Sequence, residues 1–185
     1  MIILHDFKIN IEDYEAKGKE NDFPLLEDCP KCRSLAQGNV HRNGYYWRYG
    51  INEESEWYIP ICRFRCLICK VTISILPSFL IPYFQHTVDT MVGRLSKILN
   101  GEEVKGSRQQ LAQHLNRFYE RIHWIHSFFI DLGYKLGFSK DIKKEAQKYV
   151  IMIQDFGESP SFVRRSWGSF IILFYGQVNS TIFIE

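Results

Sequence analysis

Four of the five cysteines occur as two Cys-x-x-Cys pairs, a spacing that is typical of metal ligands. The pairs are Cys29/Cys32 and Cys66/Cys69, and 33 residues separate them. A Cys-x-x-Cys turn can present two sulfurs to one ion, and Zn²⁺ binds four thiolates in tetrahedral geometry at about 2.3 Å. The pattern predicts a closed structural Zn²⁺ site, with no open coordination position for zinc catalysis.

Other uses of these cysteines fit the sequence less well. A thioredoxin-like redox pair normally occurs once, inside a βαβ pattern that is missing here. Cys62 lies four residues before Cys66, and we expect it to be a small buried hydrophobe instead of a ligand. Glycine or a small polar residue often follows such a metal-binding turn, or knuckle, and Arg33 and Lys70 fit this position only loosely.

The residues between and after the two cysteine pairs have the alternation and composition of strands. The segments 40–50 and 56–66 are aromatic and β-branched, and a polar turn separates them. A third short strand is expected at 71–76, and prolines end it. We therefore predict a three-stranded antiparallel zinc ribbon over 29–83, inside an α+β protein.

Helical periodicity begins after residue 83. Apolar residues recur on one face from Val88, and Asn100-Gly101 is a stop signal. A second helix is expected to open at Ser107, where Gln110 completes a capping-box pattern, and a third at 140–154. The sequence thus predicts a helical region over 84–155, an acidic N-terminal arm over 1–28 and a β-rich or irregular tail over 156–185.

The charge is unevenly distributed along the chain. Residues 1–28 carry three basic and eight acidic side chains, whereas 29–100 carry nine basic and four acidic ones. A basic body favours a polyanionic partner, although a mixed solvated surface would give the same count. The apolar content of 45% is enough for a core, and no apolar run is long enough for a signal peptide or membrane span. We expect a cytoplasmic protein with no membrane contact.

Alternation along the first two strands separates arginines from aromatic residues. Arg42, Tyr46 and Arg48 are expected on one face, and Tyr45, Trp47 and Tyr49 on the other. On the facing strand, Arg63 and Arg65 share a face. One face of the hairpin is therefore predicted to contact phosphates through Arg42, Arg48, Arg63 and Arg65, and the other to pack as an aromatic layer on the helices.

A helix-turn-helix is one of two interpretations of residues 110–125. Asn116 would be the turn, and Arg117, Arg121 and His123 would supply contacts to DNA. The same apolar spacing also fits a single uninterrupted helix, because residues 117–119 contain no helix breaker. The histidines His114, His123 and His126 are expected at the surface or hydrogen bonded, and not at a metal.

Three stretches together resemble a known family: "CPKCRS", "HRNGYYWR" and "IPICRFRCLICKVTISILPSFLIPY". They are similar to the uncharacterised transposase-associated zinc-ribbon family of Gram-positive bacteria, which resembles the N-terminal part of insertion-sequence transposases. The resemblance covers about residues 25–130. It implies a DNA-binding head in which a zinc ribbon is followed by a helix-turn-helix.

A complete transposase of this kind would continue into an Asp-Asp-Glu nuclease domain that binds two Mg²⁺ ions. Only six acidic residues follow residue 130, and the sequence leaves no room for such a domain, so we expect no enzymatic activity. The leading hypothesis is a zinc-dependent protein that binds double-stranded DNA and acts as an accessory, regulator or remnant. The alternative is a zinc-stapled module for protein interaction or homo-oligomerisation.

Overall fold

The computed structural model describes residues 1–156 and 181–184, and these form two compact units. The first unit contains Met1–Thr87 together with the strand at 181–184, and the second begins at Val88. Together they make an α+β protein, as predicted. None of the helices within residues 1–156 has the length and apolarity that a membrane crossing requires.

Three strands form the antiparallel part of the first unit. They are β2 (Val40–Ile51), β3 (Glu56–Cys66) and β4 (Thr72–Pro77), which confirms the predicted hairpin and third strand. The Asn52 side-chain oxygen accepts the backbone N–H groups of Glu54 and Ser55 at 2.8 and 2.7 Å. Such local bonds favour a tight turn between β2 and β3.

The antiparallel strands belong to a larger, mixed sheet. Strand β1 (Ile2–His5) pairs in parallel with β4 on one side and with β5 (Thr181–Ile184) on the other, so that the strand order is β2-β3-β4-β1-β5. Ile3 and Leu4 are fully buried. Residues 1–28 are therefore not an arm outside the fold, because their strand β1 lies between β4 and β5 in the sheet.

The rest of this N-terminal stretch packs on the same unit. Helix α1 (Ile11–Lys17) starts at Asn10, whose side chain accepts the Asp13 N–H at 2.7 Å, and a 3₁₀ turn (Gly18–Glu20) follows it. Tyr14 is buried, and its hydroxyl donates to the Pro60 carbonyl of β3 at 2.9 Å. This bond ties α1 to the central hairpin.

Three helices form the second unit: α2 (Val88–Asn100), α3 (Arg108–Asp131) and α4 (Ile142–Asp155). Their positions agree with the predicted ones, and α4 packs against both of the others. The Gln147 side chain donates to the Leu99 carbonyl of α2 at 2.9 Å, and the Tyr149 hydroxyl lies 2.5 Å from Nδ1 of His126 on α3.

The helix-turn-helix interpretation of residues 110–125 is wrong, because α3 runs without a break from Arg108 to Asp131. Asn116 lies within the helix and forms no turn. Phe118, Ile122, Ile125 and Phe129 recur at helical spacing and are buried on one continuous face. Ser107 does begin the helix, but its side chain makes no capping hydrogen bond. Most of the predicted tail, 156–185, lies outside the described residues.

The burial of β1 leads to a test of its role. Ile3→Ala should lower the free energy of unfolding by about 2–4 kcal/mol, because it removes buried methyl groups from the sheet. Leu25→Ala is the matched control, since this side chain is 85% exposed within the same N-terminal stretch. Urea unfolding measures both variants. Equal stability of the two would contradict the central position of β1.

A buried ion pair joins two turns of α4. Glu145 is 4% exposed, and its carboxylate lies 2.5 Å from the Lys148 ammonium and accepts the Ser139 N–H at 2.9 Å. Burial opposes the charge on Glu145, but the hydrogen bonds from Lys148 and Ser139 outweigh it and hold the pKa below its ordinary value of 4.5. The pair therefore stabilises the folded state fully above about pH 4.5, and this stabilisation disappears as the pH falls through the folded pKa.

Replacing this carboxylate should have a pH-dependent effect. Glu145→Gln should lower the free energy of unfolding by about 2 kcal/mol at neutral pH, because it leaves the Lys148 charge without its partner. The difference from the parent chain should shrink toward zero as the pH falls below 4.5 and through the pKa of Glu145 in the folded state. Glu120→Gln, on the exposed side of α3, is the control and should have little effect at either pH. A pH-independent loss would contradict the proposed ionic contribution.

Candidate metal centre

The paired cysteines lie in two knuckles that share the same backbone hydrogen-bond pattern. The Cys29 N–H donates to the Ser34 carbonyl at 2.8 Å, and the Cys66 N–H donates to the Val71 carbonyl at 3.0 Å. In each knuckle, the N–H of the first cysteine therefore bonds to the carbonyl five residues later. The second knuckle is the turn between β3 and β4, and the first precedes β2. The sheet brings them together because Val40, at the start of β2, pairs with Cys66.

The four sulfur atoms converge on one point. All four lie within 4.8 Å of one another, with Cys29 Sγ 3.6 Å from Cys69 Sγ and Cys32 Sγ 3.7 Å from Cys66 Sγ. These separations are far longer than a disulfide bond, and all the cysteines are free thiols. The geometry confirms that the predicted ligand set can hold a metal ion between the two knuckles.

Backbone amides point at the first sulfur of each knuckle. A hydrogen bond from the Cys69 N–H, supported by the Ile68 N–H and the Ser34 hydroxyl, lowers the pKa of Cys66 to about 6. Cys29 receives the equivalent N–H groups of Lys31 and Cys32, but burial is the larger effect and raises its pKa to about 11. Donors of this kind favour the thiolate, which is the form that binds metal.

One further side chain belongs to this centre, and the sequence contained no signal for it. The Ser34 hydroxyl lies 3.1 Å from Cys32 Sγ and 3.7 Å from Cys66 Sγ, so it bridges the two knuckles. Its hydrogen bond lowers the pKa of Cys32. Cys62, by contrast, is fully buried outside the cluster, and burial raises the pKa of its thiol. This agrees with its predicted role as a small hydrophobe.

The residues that directly follow the knuckles adopt the left-handed backbone conformation. Arg33 and Lys70 both have φ of 59°, a region that side chains other than glycine rarely occupy. Both therefore carry backbone strain, which the closed knuckles maintain. Both side chains are exposed, and Arg33 forms an ion pair with Asp28 at 3.6 Å.

The predicted arginine strip on the hairpin is not a single surface. Arg42 pairs with Phe64 whereas Tyr45 pairs with Cys62, so the register shifts by one residue between them. This β-bulge moves Arg42 to the face of Tyr45, away from Arg48. Its guanidinium lies 6.0 Å from the Phe64 ring centroid and 3.3 Å from the Tyr45 hydroxyl.

The other predicted strand arginines differ in their surroundings. Arg48 is half-buried and donates to the Phe84 carbonyl, and Arg63 is half-buried over the Tyr46 ring at 5.4 Å. Arg65 is exposed, and no hydrogen bond or ion pair engages its guanidinium in the part of the chain that the structure describes. Of this group, Arg65 is the arginine best placed to meet an external ligand.

The helical residues predicted to contact DNA all lie on the continuous helix α3. Arg117 and Arg121 are half-buried, and Nε of Arg121 is buried with no hydrogen-bond partner among the described residues. His123 is exposed and stacks on Phe138 with the ring centroids 4.4 Å apart. Without a turn at Asn116, these side chains do not form the recognition helix of a helix-turn-helix.

The predicted aromatic layer is not a core. Trp47 and Tyr49 are substantially exposed, so they do not pack as the buried face of the hairpin. The buried positions of β3 include Ile59, Ile61 and Phe64 instead. Aromatic residues suit both buried and surface positions of strands, and composition alone does not separate the two.

Comparisons with protein-family models, curated proteins and solved structures give no match to this chain.

The left-handed conformation after each knuckle can be tested directly. Lys70→Gly should raise the free energy of unfolding of the metal-loaded protein by about 1 kcal/mol, because glycine adopts this backbone without steric strain. Lys31→Gly is the control, since Lys31 lies within a knuckle but has no positive φ. Denaturant unfolding compares the two. If Lys70→Gly destabilises the protein as much as Lys31→Gly does, the assigned strain is absent.

Proposed function

We propose that this chain is a zinc-dependent DNA-binding protein. It would be an accessory, regulator or remnant related to the N-terminal domains of insertion-sequence transposases. The proposal combines a zinc ribbon formed by the two knuckles and β2–β4 with a cationic surface next to it. The ion supplies no reaction step in this scheme, because its role is to hold the two knuckles together.

The sulfur geometry is compatible with zinc as the ion. Tetrahedral coordination with Zn–S bonds of about 2.3 Å requires sulfur atoms about 3.8 Å apart. The observed separations of 3.6 and 3.7 Å are close to this value. Four soft thiolate ligands also select zinc or iron over the hard cations Mg²⁺ and Ca²⁺.

The observation that carries the DNA proposal is a group of exposed cations around the sulfur cluster. Lys31 lies in the first knuckle, Arg33 and Lys70 directly follow the knuckles, and Arg65 precedes Cys66. Four thiolates bound to one divalent ion retain a net negative charge, which these cations offset. Exposed cations of this kind are suited to phosphate groups.

Two of these cations, Lys31 and Arg65, lie near the amino-terminal end of β1. Burial lowers the pKa of the Met1 amino group, and the positive charge of Lys31 lowers it further. The Met1 amino group in turn donates to the Thr72 carbonyl at 2.8 Å, and Thr72 pairs with Arg65.

Loss of one ligand tests the zinc assignment. Cys66→Ser should reduce the bound zinc from one equivalent to less than about a tenth, and the β-sheet signal in circular dichroism should fall with it, since metal binding and folding are coupled in such sites. Cys62→Ala removes a thiol outside the cluster and should retain one equivalent. Elemental analysis of the purified variants measures the metal. Full zinc content in Cys66→Ser would refute the four-thiolate site.

The cationic surface predicts salt-dependent binding to duplex DNA. The double variant Arg65→Gln/Lys70→Gln should bind a labelled duplex more weakly, and the slope of log affinity against log salt should decrease by about 0.9 for each lost phosphate contact. Lys17→Gln, an exposed lysine on α1, is the control. Fluorescence anisotropy of the zinc-loaded protein gives both values. Absence of binding at low salt, or an equal loss in the control, would overturn the proposal.

A second candidate function is a zinc-stapled module for protein interaction or homo-oligomerisation. The observation that favours it is a set of exposed aliphatic side chains around the same knuckles, which includes Leu35 at 73% and Ile68 at 61% exposure. Apolar groups grouped at a surface often mark a contact with another protein. Light scattering at micromolar concentration separates the functions, because an oligomer that is indifferent to DNA favours this one.

A further inference from the structure

The end of the β2–β3 hairpin farthest from the knuckles carries three exposed aromatic rings. Trp47 and Tyr49 alternate along β2, and Tyr49 pairs with Tyr58 on β3, so all three side chains lie on one face of the hairpin. Their exposed fractions are 42%, 42% and 50%. We call these three residues the aromatic face.

The rings of the aromatic face contact one another and form one continuous surface. The Trp47 and Tyr58 centroids are 5.4 Å apart with an interplanar angle of 21°, and those of Tyr49 and Tyr58 are 5.0 Å apart at 45°. Cross-strand contacts of this kind hold the rings in place before any ligand arrives. A pre-ordered apolar surface that remains exposed to water is typical of a docking site.

The charged side chains at the turn end of the hairpin are all acidic. The turn between the strands and the first residue of β3 contain Glu53, Glu54 and Glu56, and no lysine or arginine lies between Arg48 and Glu56. Glu56 lies two residues before Tyr58 on the same strand, so it shares the aromatic face. Within the described residues no ion pair engages the carboxylates of Glu54 and Glu56.

The nearest cation in β2 does not neutralise these carboxylates. Arg48 alternates with Trp47 and Tyr49, so it lies on the opposite face of the strand, where it donates to the Phe84 carbonyl. Phosphate groups would be repelled by the glutamates. The charges therefore favour a cationic ligand over a nucleic acid at this end of the hairpin.

We propose that the aromatic face and its neighbouring glutamates dock an arginine-rich segment of a partner protein. Guanidinium groups stack on tryptophan and tyrosine rings, and they also bind carboxylates through two parallel hydrogen bonds. Trp47, Tyr49 and Tyr58 supply the rings, and Glu54 and Glu56 supply the carboxylates. This surface is separate from the cationic knuckles and does not depend on the proposed binding of DNA.

The proposal is tested with a fluorescein-labelled synthetic peptide of alternating arginine and serine, bound to the full zinc-loaded chain. Anisotropy titrations should give at least a tenfold weaker affinity for Glu54→Gln/Glu56→Gln and for Trp47→Ala/Tyr58→Ala. The same peptide with lysine in place of arginine should bind the parent chain several-fold more weakly, because ammonium groups neither stack on rings nor form paired bonds with a carboxylate. Zinc content and circular dichroism verify that each variant is folded.

A matched control removes the same charge elsewhere in the first unit. Glu15→Gln/Glu20→Gln, at exposed positions of α1 and the following turn, should leave the affinity unchanged. Equal weakening in this control and in the Glu54/Glu56 variant would show attraction by net charge alone and would overturn the proposal. Binding of a thymidine oligonucleotide that is lost in Trp47→Ala/Tyr58→Ala would also overturn it, in favour of a nucleic-acid surface.

Discussion

The convergence of four cysteine sulfurs on one point is the constraint around which the first unit is organised. Cys32 and Cys66 are 34 positions apart in the chain, yet their sulfurs lie 3.7 Å from each other. Four thiols can share so small a volume as thiolates only if a cation balances their charge. Because the second knuckle is also the turn between β3 and β4, an ion bound there would stabilise the sheet and the preceding loop together.

The two ends of the β2–β3 hairpin carry side chains of opposite charge. The strands β2 and β3 begin or end beside the knuckles, where Lys31, Arg65 and Lys70 are exposed. Their far ends carry aromatic rings and glutamates. The length of the hairpin separates the two surfaces, so the proposed polyanion at one end and the proposed cationic segment at the other could bind without competing. A bound metal would affect both surfaces, because it would fix the end of the hairpin that adjoins the knuckles.

Much of this architecture could be predicted from local patterns. Alternating aromatic and β-branched residues located the three antiparallel strands, the 3.6-residue period located three helices, and the Cys-x-x-Cys spacing located the ligands. These features depend on near neighbours in sequence. Strand β1 could not be found in this way, because its partner β4 lies about seventy positions later and a run of four residues has no period of its own.

The differences between the predicted and the observed placement of the arginine strip and the helix-turn-helix have specific physical causes. One extra residue in the bulge between Arg42 and Tyr45 reverses the face of Arg42, and strict alternation does not foresee a bulge. In α3, the apolar spacing around Asn116 is the same for one long helix and for two short ones. The exposure of Trp47 shows that no element among residues 1–156 covers it, and this depends on the folded chain and not on its composition.

X-ray absorption spectroscopy at the zinc edge tests the central claim most directly. On purified protein reconstituted with one equivalent of Zn²⁺, we predict a single shell of four sulfur atoms at about 2.3 Å. A shell that contains nitrogen or oxygen neighbours, or fewer than four sulfurs, would contradict the account. In that case the two knuckles would not share one ion, and the cationic surface beside them would lose the element proposed to hold it in place.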